Sequence, residues 1–146
     1  MKTEIYVDGS WMNGSVGYGY VVLQDSRKVH EESGHIPENH TEGTRQVAGE
    51  LFAVGKAIEW CKSNHVGDVT IFYDYMGVEM WARGLWKANL SLTQRYRAFV
   101  QSSGLNITWK KVKSHTGDKF NDKADSLAKK GALNGLKPKR NMTPKR

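Results

Sequence analysis

The chain has 146 residues, 38% of them hydrophobic, with five Trp, one Cys and a formal charge of +7. That is enough apolar content for one core and one domain, and no stretch approaches the roughly eighteen apolar residues of a membrane span. The N-terminus runs into a strand pattern rather than a signal peptide, and the single Cys61 excludes an internal disulfide or a cysteine metal cluster, so a soluble, cytoplasmic monomer is expected.

The charge is unevenly spread. Residues 137–146 hold five of the 22 Lys and Arg residues and no acid, which leaves 17 against the 15 acids in residues 1–136. This tail, KPKRNMTPKR, is expected to be disordered, either as a solubilising extension or as a phosphate-binding arm. The expected folded domain is 1–136. Inside it, Trp109–Lys119 is the one clearly basic cluster, and it suggests a face turned to nucleic acid.

In chain order, EIYVD (Glu4–Asp8) reads as a strand ended by Gly9-Ser10, and Gly17–Leu23 and Lys28–Ile36 as two more, joined by the turn-prone 24–27 segment. Short links between three strands imply an antiparallel meander. After a polar loop at 40–43, Thr44 is a candidate N-cap for a helix over Arg45–Lys62, where Val47, Leu51, Val54 and Ile58 recur at helical spacing. VTIFYD (Val69–Asp74) is a buried-type strand; Met76–Gly84 and Leu92–Ser103 are helical; Asn106–Val112 alternates as a final strand; Asn121–Leu133 closes the chain as a helix. The expected fold is α/β: a five-stranded mixed sheet, three strands in a meander and two parallel, with helices on both faces.

Four acids stand out against this frame. Asp8 and Asp74 end strands that would be neighbours; Glu50 lies beside the packed face of the long helix, and Asp125 is flanked by Ala124, Leu127 and Ala128. Taken singly, each has an ordinary explanation, a turn-capping Asp or a solvated helix position. Converging on one sheet end, they would repel and raise each other's pKa, which calls for cations. Oxygen-only ligands suit Mg²⁺ or Mn²⁺, and two such ions roughly 3.5–4 Å apart are a general device for in-line displacement at phosphorus. The implied chemistry is phosphodiester cleavage.

DGS at Asp8–Ser10, AGEL around Glu50, FYD at Asp74 and KVKSHTGDKFNDKADSLAKKGA (Lys111–Ala132) together resemble type 1 ribonuclease H over about residues 3–133. The last block is the most specific: a histidine loop, then Asn121 and Asp125. The resemblance implies a ribonuclease H-like fold in which Asp8, Glu50, Asp74 and Asp125 hold two Mg²⁺ ions, with Mn²⁺ as a substitute. The RNA strand of an RNA/DNA hybrid would be cut to 5′-phosphate and 3′-hydroxyl ends. It implies that His115 handles a proton near neutral pH. Asn121 would orient His115 or the attacking water, or act as a helix N-cap.

Ser10 falls within the first motif as an implied substrate contact. Asn13 and Gln46 match positions that read the 2′-hydroxyl, with Gly14 keeping the first loop small. Arg45 stands where many relatives have Thr, so Thr44 or Arg45 would grip a DNA phosphate. The segment from Asp74 to His115 leaves no room for an extended basic protrusion, and Trp86-Lys87 would supply either stacking and a phosphate contact or helix packing. Trp81 reads as packing; His30, His35, His40 and His65 as surface or strand residues. Two other readings are a transposase or integrase core, which would favour a final Glu and no histidine loop, and a hybrid-binding module, which would not need four repelling acids.

Overall fold

The computed structural model describes residues 1–37, 44–113 and 118–136. His40, His115 with its loop, and the basic tail lie outside the described residues. The meander comprises β1 (Thr3–Met12), β2 (Ser15–Gln24) and β3 (Arg27–Ile36). Gly9-Ser10 does not end β1. The strand runs on to an Asn13-Gly14 turn with φ of 47° and 87°, and Met12 pairs with Ser15 across it. Positive φ at both turn residues matches the right-handed strand twist, which is why Asn-Gly suits this place.

Gly9 serves instead as a point of close approach. A Cβ there would collide with the backbone of Gln46 and Glu50, and one on Gly17 with that of Ala128 and Ala132. Helices on opposite faces can therefore lie unusually close to β1 and β2.

Helix α1 (Gln46–Ser63) starts after Arg45, whose φ of 53° turns the chain into the helix without a side-chain cap. Thr44 is therefore not the N-cap: it lies one residue farther out, and its carbonyl accepts from Val47 N at 3.2 Å. The chain continues through β4 (Asp68–Tyr73), α2 (Gly77–Ala82), α3 (Ser91–Gln101), β5 (Asn106–Lys111) and α4 (Lys119–Leu136). Asn121 is not an N-cap either. Asp118 Oδ1 accepts from the backbone N–H groups of Phe120 and Asn121, both at 3.0 Å, so α4 begins earlier and carries Asn121 in its first turn.

The sheet order is β3-β2-β1-β4-β5, with β1–β4 and β4–β5 parallel, as expected from the strand–helix–strand pattern. Alternate residues divide the core. Ile5, Val7, Tyr20 and Val22 pack with Leu51, Val54 and Ile58 of α1 and with Val78, Leu92 and Val100 of α2 and α3. Tyr6, Val21 and Leu23 point the other way, onto Ala124 and Leu127 of α4. Cys61 is fully buried in the first layer, and burial pushes its thiol up to about 11, as expected of a packing residue. No helix among the described residues is long and apolar enough to cross a membrane.

Candidate active site

The parallel register brings the strand-end acids together. Tyr6 pairs with Phe72, so Asp8 and Asp74, each two residues farther on, emerge side by side. Glu50 reaches the same sheet end from α1, across Gly9; Asp125 reaches it from α4. All four line one cavity of about 510 Å³, together with Gln46, Tyr75, Met76, Lys111, Asn121 and Asp122.

Glu50, Asp8 and Asp125 each lean on a donor of the protein. Glu50, only 4% exposed, accepts from Asp74 N at 2.6 Å and from Tyr75 N at 3.2 Å. Asp8 Oδ1 accepts from Gly9 N at 2.8 Å, and Asp125 Oδ2 pairs with Lys129 Nζ at 3.1 Å. These donors do not offset the crowding. Desolvation, opposed by Gly9 N–H and reinforced by the charges of Asp125 and Asp74, pushes Asp8 up to about 7. Desolvation likewise lifts Glu50 to about 8, with Asp74 and Tyr75 N–H lowering it and the charges of Asp8 and Asp74 raising it.

Among the described residues no three His, Cys, Asp or Glu side chains are gathered tightly enough, as placed, to hold an ion. Glu50 and Asp8 meet backbone donors and Asp125 meets Lys129. Their chemistry nonetheless suits a hard cation: the described lining offers carboxylate and amide oxygens and neither His nor Cys. A divalent ion there would offset the charge repulsion that helps to raise Asp8 and Glu50.

Of the other candidates, Gln46 opens α1 in the cavity wall and Asn121, 6% exposed, lies in the same wall. Ser10 is buried on β1, while Asn13 and Gly14 form the exposed hairpin tip. The Arg45 guanidinium sits 4.7 Å from the centre of the half-exposed Trp11 ring, and Thr44 precedes it outside the cavity. Trp86 and Lys87 are exposed beyond α2; Trp86 meets Trp81 and Tyr75 edge-on at 5.7 and 6.2 Å. Trp81 is half-buried in that cluster. His30 and His35 lie on β3 and His65 is exposed after α1, as expected.

Tyr75, Met76, Lys111 and Asp122 line the cavity without having been singled out from the sequence. Parity would have found Lys111: Ile107 and Trp109 pack against the larger core layer, and Lys111 continues that row. The Tyr75 contribution is a backbone N–H and has no residue signature.

The description "RNase H" attaches to the family model that matches residues 1–133. The chain belongs to the ribonuclease H family. Among similar proteins, a ribonuclease H of Polaromonas sp. is 39% identical, covering 92% of this chain and 91% of its own length. One from Verminephrobacter eiseniae is 30% identical, with 92% and 93% covered. RNase H1 of Halobacterium salinarum superposes with a TM-score of 0.77 at 21% identity, over 92% of this chain and 99% of that one. LC11-RNase H1, solved in complex with RNA/DNA hybrid, gives 0.77 at 19% identity, over 93% and 100%. These superpositions show the ribonuclease H fold, and the family match makes the chain a ribonuclease H nuclease. The ribonuclease H family is generally dependent on divalent metal, in keeping with the oxygen-rich cavity.

Proposed function

We propose that the chain hydrolyses the RNA strand of RNA/DNA hybrids at Asp8, Glu50, Asp74 and Asp125, leaving 5′-phosphate and 3′-hydroxyl ends. The observation that carries this reading is the convergence of four carboxylates in one cavity, two of them lifted to about 7 and 8. The LC11 relative was solved in complex with RNA/DNA hybrid, which supports the choice of substrate. Two Mg²⁺ ions, with Mn²⁺ able to replace them, would be held by the four acids and would activate water and neutralise the departing 3′ oxygen.

The remaining work falls to the chain. Backbone N–H groups of Asp74 and Tyr75 aim the Glu50 carboxylate, so the β4–α2 turn and α1 are set against each other before substrate arrives. In the displacement, the oxygen of water bonds to phosphorus, the P–O3′ bond breaks, the water proton passes to a base, and a proton is returned to the departing O3′ to leave the 3′-hydroxyl end. His115 is that proton carrier in this reading, with Asn121 orienting it or the water. Gln46 in the cavity wall and Asn13 at the first hairpin would read the RNA 2′-hydroxyls, with Gly14 allowing close backbone approach and Ser10 as a further substrate contact. Arg45 or Thr44 would hold a DNA phosphate, and Trp86 with Lys87 a deoxyribose and its phosphate.

The catalytic domain is read as residues 1–136, and 137–146 as a basic tail, in keeping with a family match that stops at 133. The protein is read as a cytoplasmic monomer. Incubation with labelled RNA/DNA hybrid, duplex DNA and duplex RNA, each with Mg²⁺ or EDTA, tests the reading. RNA cut only in the hybrid and only with Mg²⁺ is expected; an uncut hybrid refutes it.

A further inference from the structure

Beside the acid cavity lies a second, oppositely charged one. The β2–β3 turn and the first turns of α4 enclose about 710 Å³ lined by Arg27, Lys28, Lys119 and Lys123, with Phe120 and Asp122. Asp122 also lines the acid cavity, so the two spaces adjoin along α4.

The cations stand on fixed supports. Asp25 N donates to Lys2 O at 2.8 Å and Lys2 N to Asp25 Oδ1 at 2.9 Å, pinning the turn that presents Arg27 and Lys28. Lys119 Nζ lies 5.4 Å from the centre of the Phe120 ring, which packs against Tyr6. Glu31 pairs with Lys28 at 2.8 Å and Lys123 at 3.7 Å. Within the lining four cations stand against Asp122 alone; Glu31 pairs with two of them from outside, Asp25 and Asp118 flank the groove in the same turns, and Arg27 and Lys119 are both exposed.

We propose that this groove is a second substrate site, which holds the sugar–phosphate backbone of the hybrid where it leaves the cleft past Asp122. The inference rests on the ribonuclease H reading of the neighbouring cavity. A polyanion crossing the acid cavity meets repulsion there. The same chain, continued beyond Asp122, meets a preformed cationic wall, so affinity comes from outside the cutting centre. The groove would also offset the missing basic protrusion. Charge and continuity with the cleft, rather than apolar area, argue for nucleic acid over an apolar peptide.

The test measures binding of the full chain in EDTA, where cutting is not required, by fluorescence anisotropy over a range of salt. Two fluorescent hybrids are compared: one just long enough to cover the cleft and one extended at both ends. Arg27→Ala/Lys119→Ala is set against Lys62→Ala at the exposed end of α1, on the opposite face. The double variant should bind the long hybrid about fivefold more weakly and lower the log K against log [salt] slope by about 2, one per lost phosphate contact. The short hybrid and the Lys62 variant should be unchanged. An equal loss on both hybrids, or an unchanged slope, overturns the groove. Mg²⁺-dependent cutting of the short hybrid is scored separately: if wild type fails to cut it, the ribonuclease H reading fails, whatever the binding curves show.

Discussion

Two carboxylate environments adjoin this sheet, Glu32 on β3 and the acids at the β1–β4 end, and they titrate in opposite directions. Glu32 on β3 is pushed up by desolvation, but the phenol O–H of Tyr18 donates to it at 2.6 Å and that of Tyr20 at 2.8 Å. With Lys56 and His30 nearby as well, it ends below the ordinary range. Asp8 and Glu50 are pushed up by the same desolvation, yet face Asp74 and Asp125 and stay high, at about 7 and 8. Burial is common to both groups; the neighbours decide. An acid supplied with donors pins an edge strand, whereas acids set against acids form a centre whose charge a cation would offset.

The largest expected effect separates the two groups outright. Asp8→Asn or Glu50→Gln removes a carboxylate from the proposed centre, where a cation would stabilise the transition state by several kcal/mol, so turnover should fall on the order of a thousandfold. Glu32→Gln should keep hybrid cleavage within about twofold while lowering stability by about 1–2 kcal/mol in urea. A large activity loss in the Glu32 variant would erase the distinction.

Stability against pH should sharpen it. In chelator the folded protein keeps protons on Asp8 and Glu50 that the unfolded chain, near its ordinary values of 3.8 and 4.5, releases. The folded form therefore binds more protons. Its advantage is complete in acid, declines as pH rises above those values and is lost through about 7 and 8. Glu32 acts in the other sense: its contribution is present above the ordinary carboxylate value and is lost as pH falls through its lowered one. Urea unfolding of Glu50→Gln in EDTA should accordingly gain on wild type toward pH 9, and that of Glu32→Gln should lose less against wild type in acid than at neutrality. Parallel curves would refute the assignment.

The smallest effect concerns Lys129, a built-in but exposed partner of Asp125 at 3.1 Å. A helical i,i+4 pair of this kind is worth only a few tenths of a kcal/mol, so Lys129→Met should tighten Mn²⁺ binding about twofold in calorimetry without substrate. Weaker binding would mean that Lys129 holds Asp125 in place rather than competing for it.

Much of the acid cluster was legible because it follows from periodicity. A strand–helix–strand run placed Asp74 beside Asp8, helical spacing put Glu50 next to Leu51 and Val54, and the Asn121–Asp125 step lies on one helix. What periodicity could not show was backbone chemistry. Gly9-Ser10 reads locally as a strand end, yet Gly9 is an extended residue made small by the helix above it. Thr44 and Asn121 carry N-cap chemistry, but Arg45 turns the chain by its φ and Asp118 caps α4 from farther out. The donors to Glu50 are main-chain N–H groups, which no side chain announces. The basic groove joins residues near 27 to residues near 120 and becomes visible only once the sheet and α4 are assembled.

The central claim, that the four acids form one cation-dependent centre, is most directly tested on the substrate-free protein at pH 8.5 by following the unfolding free energy as Mg²⁺ is titrated in. An ion that binds only the folded state adds about 2.7 kcal/mol at a hundred times its Kd. Wild type should rise along that curve and Asp8→Asn/Glu50→Gln should stay flat. An equal rise in both proteins would place the cation elsewhere and contradict the account.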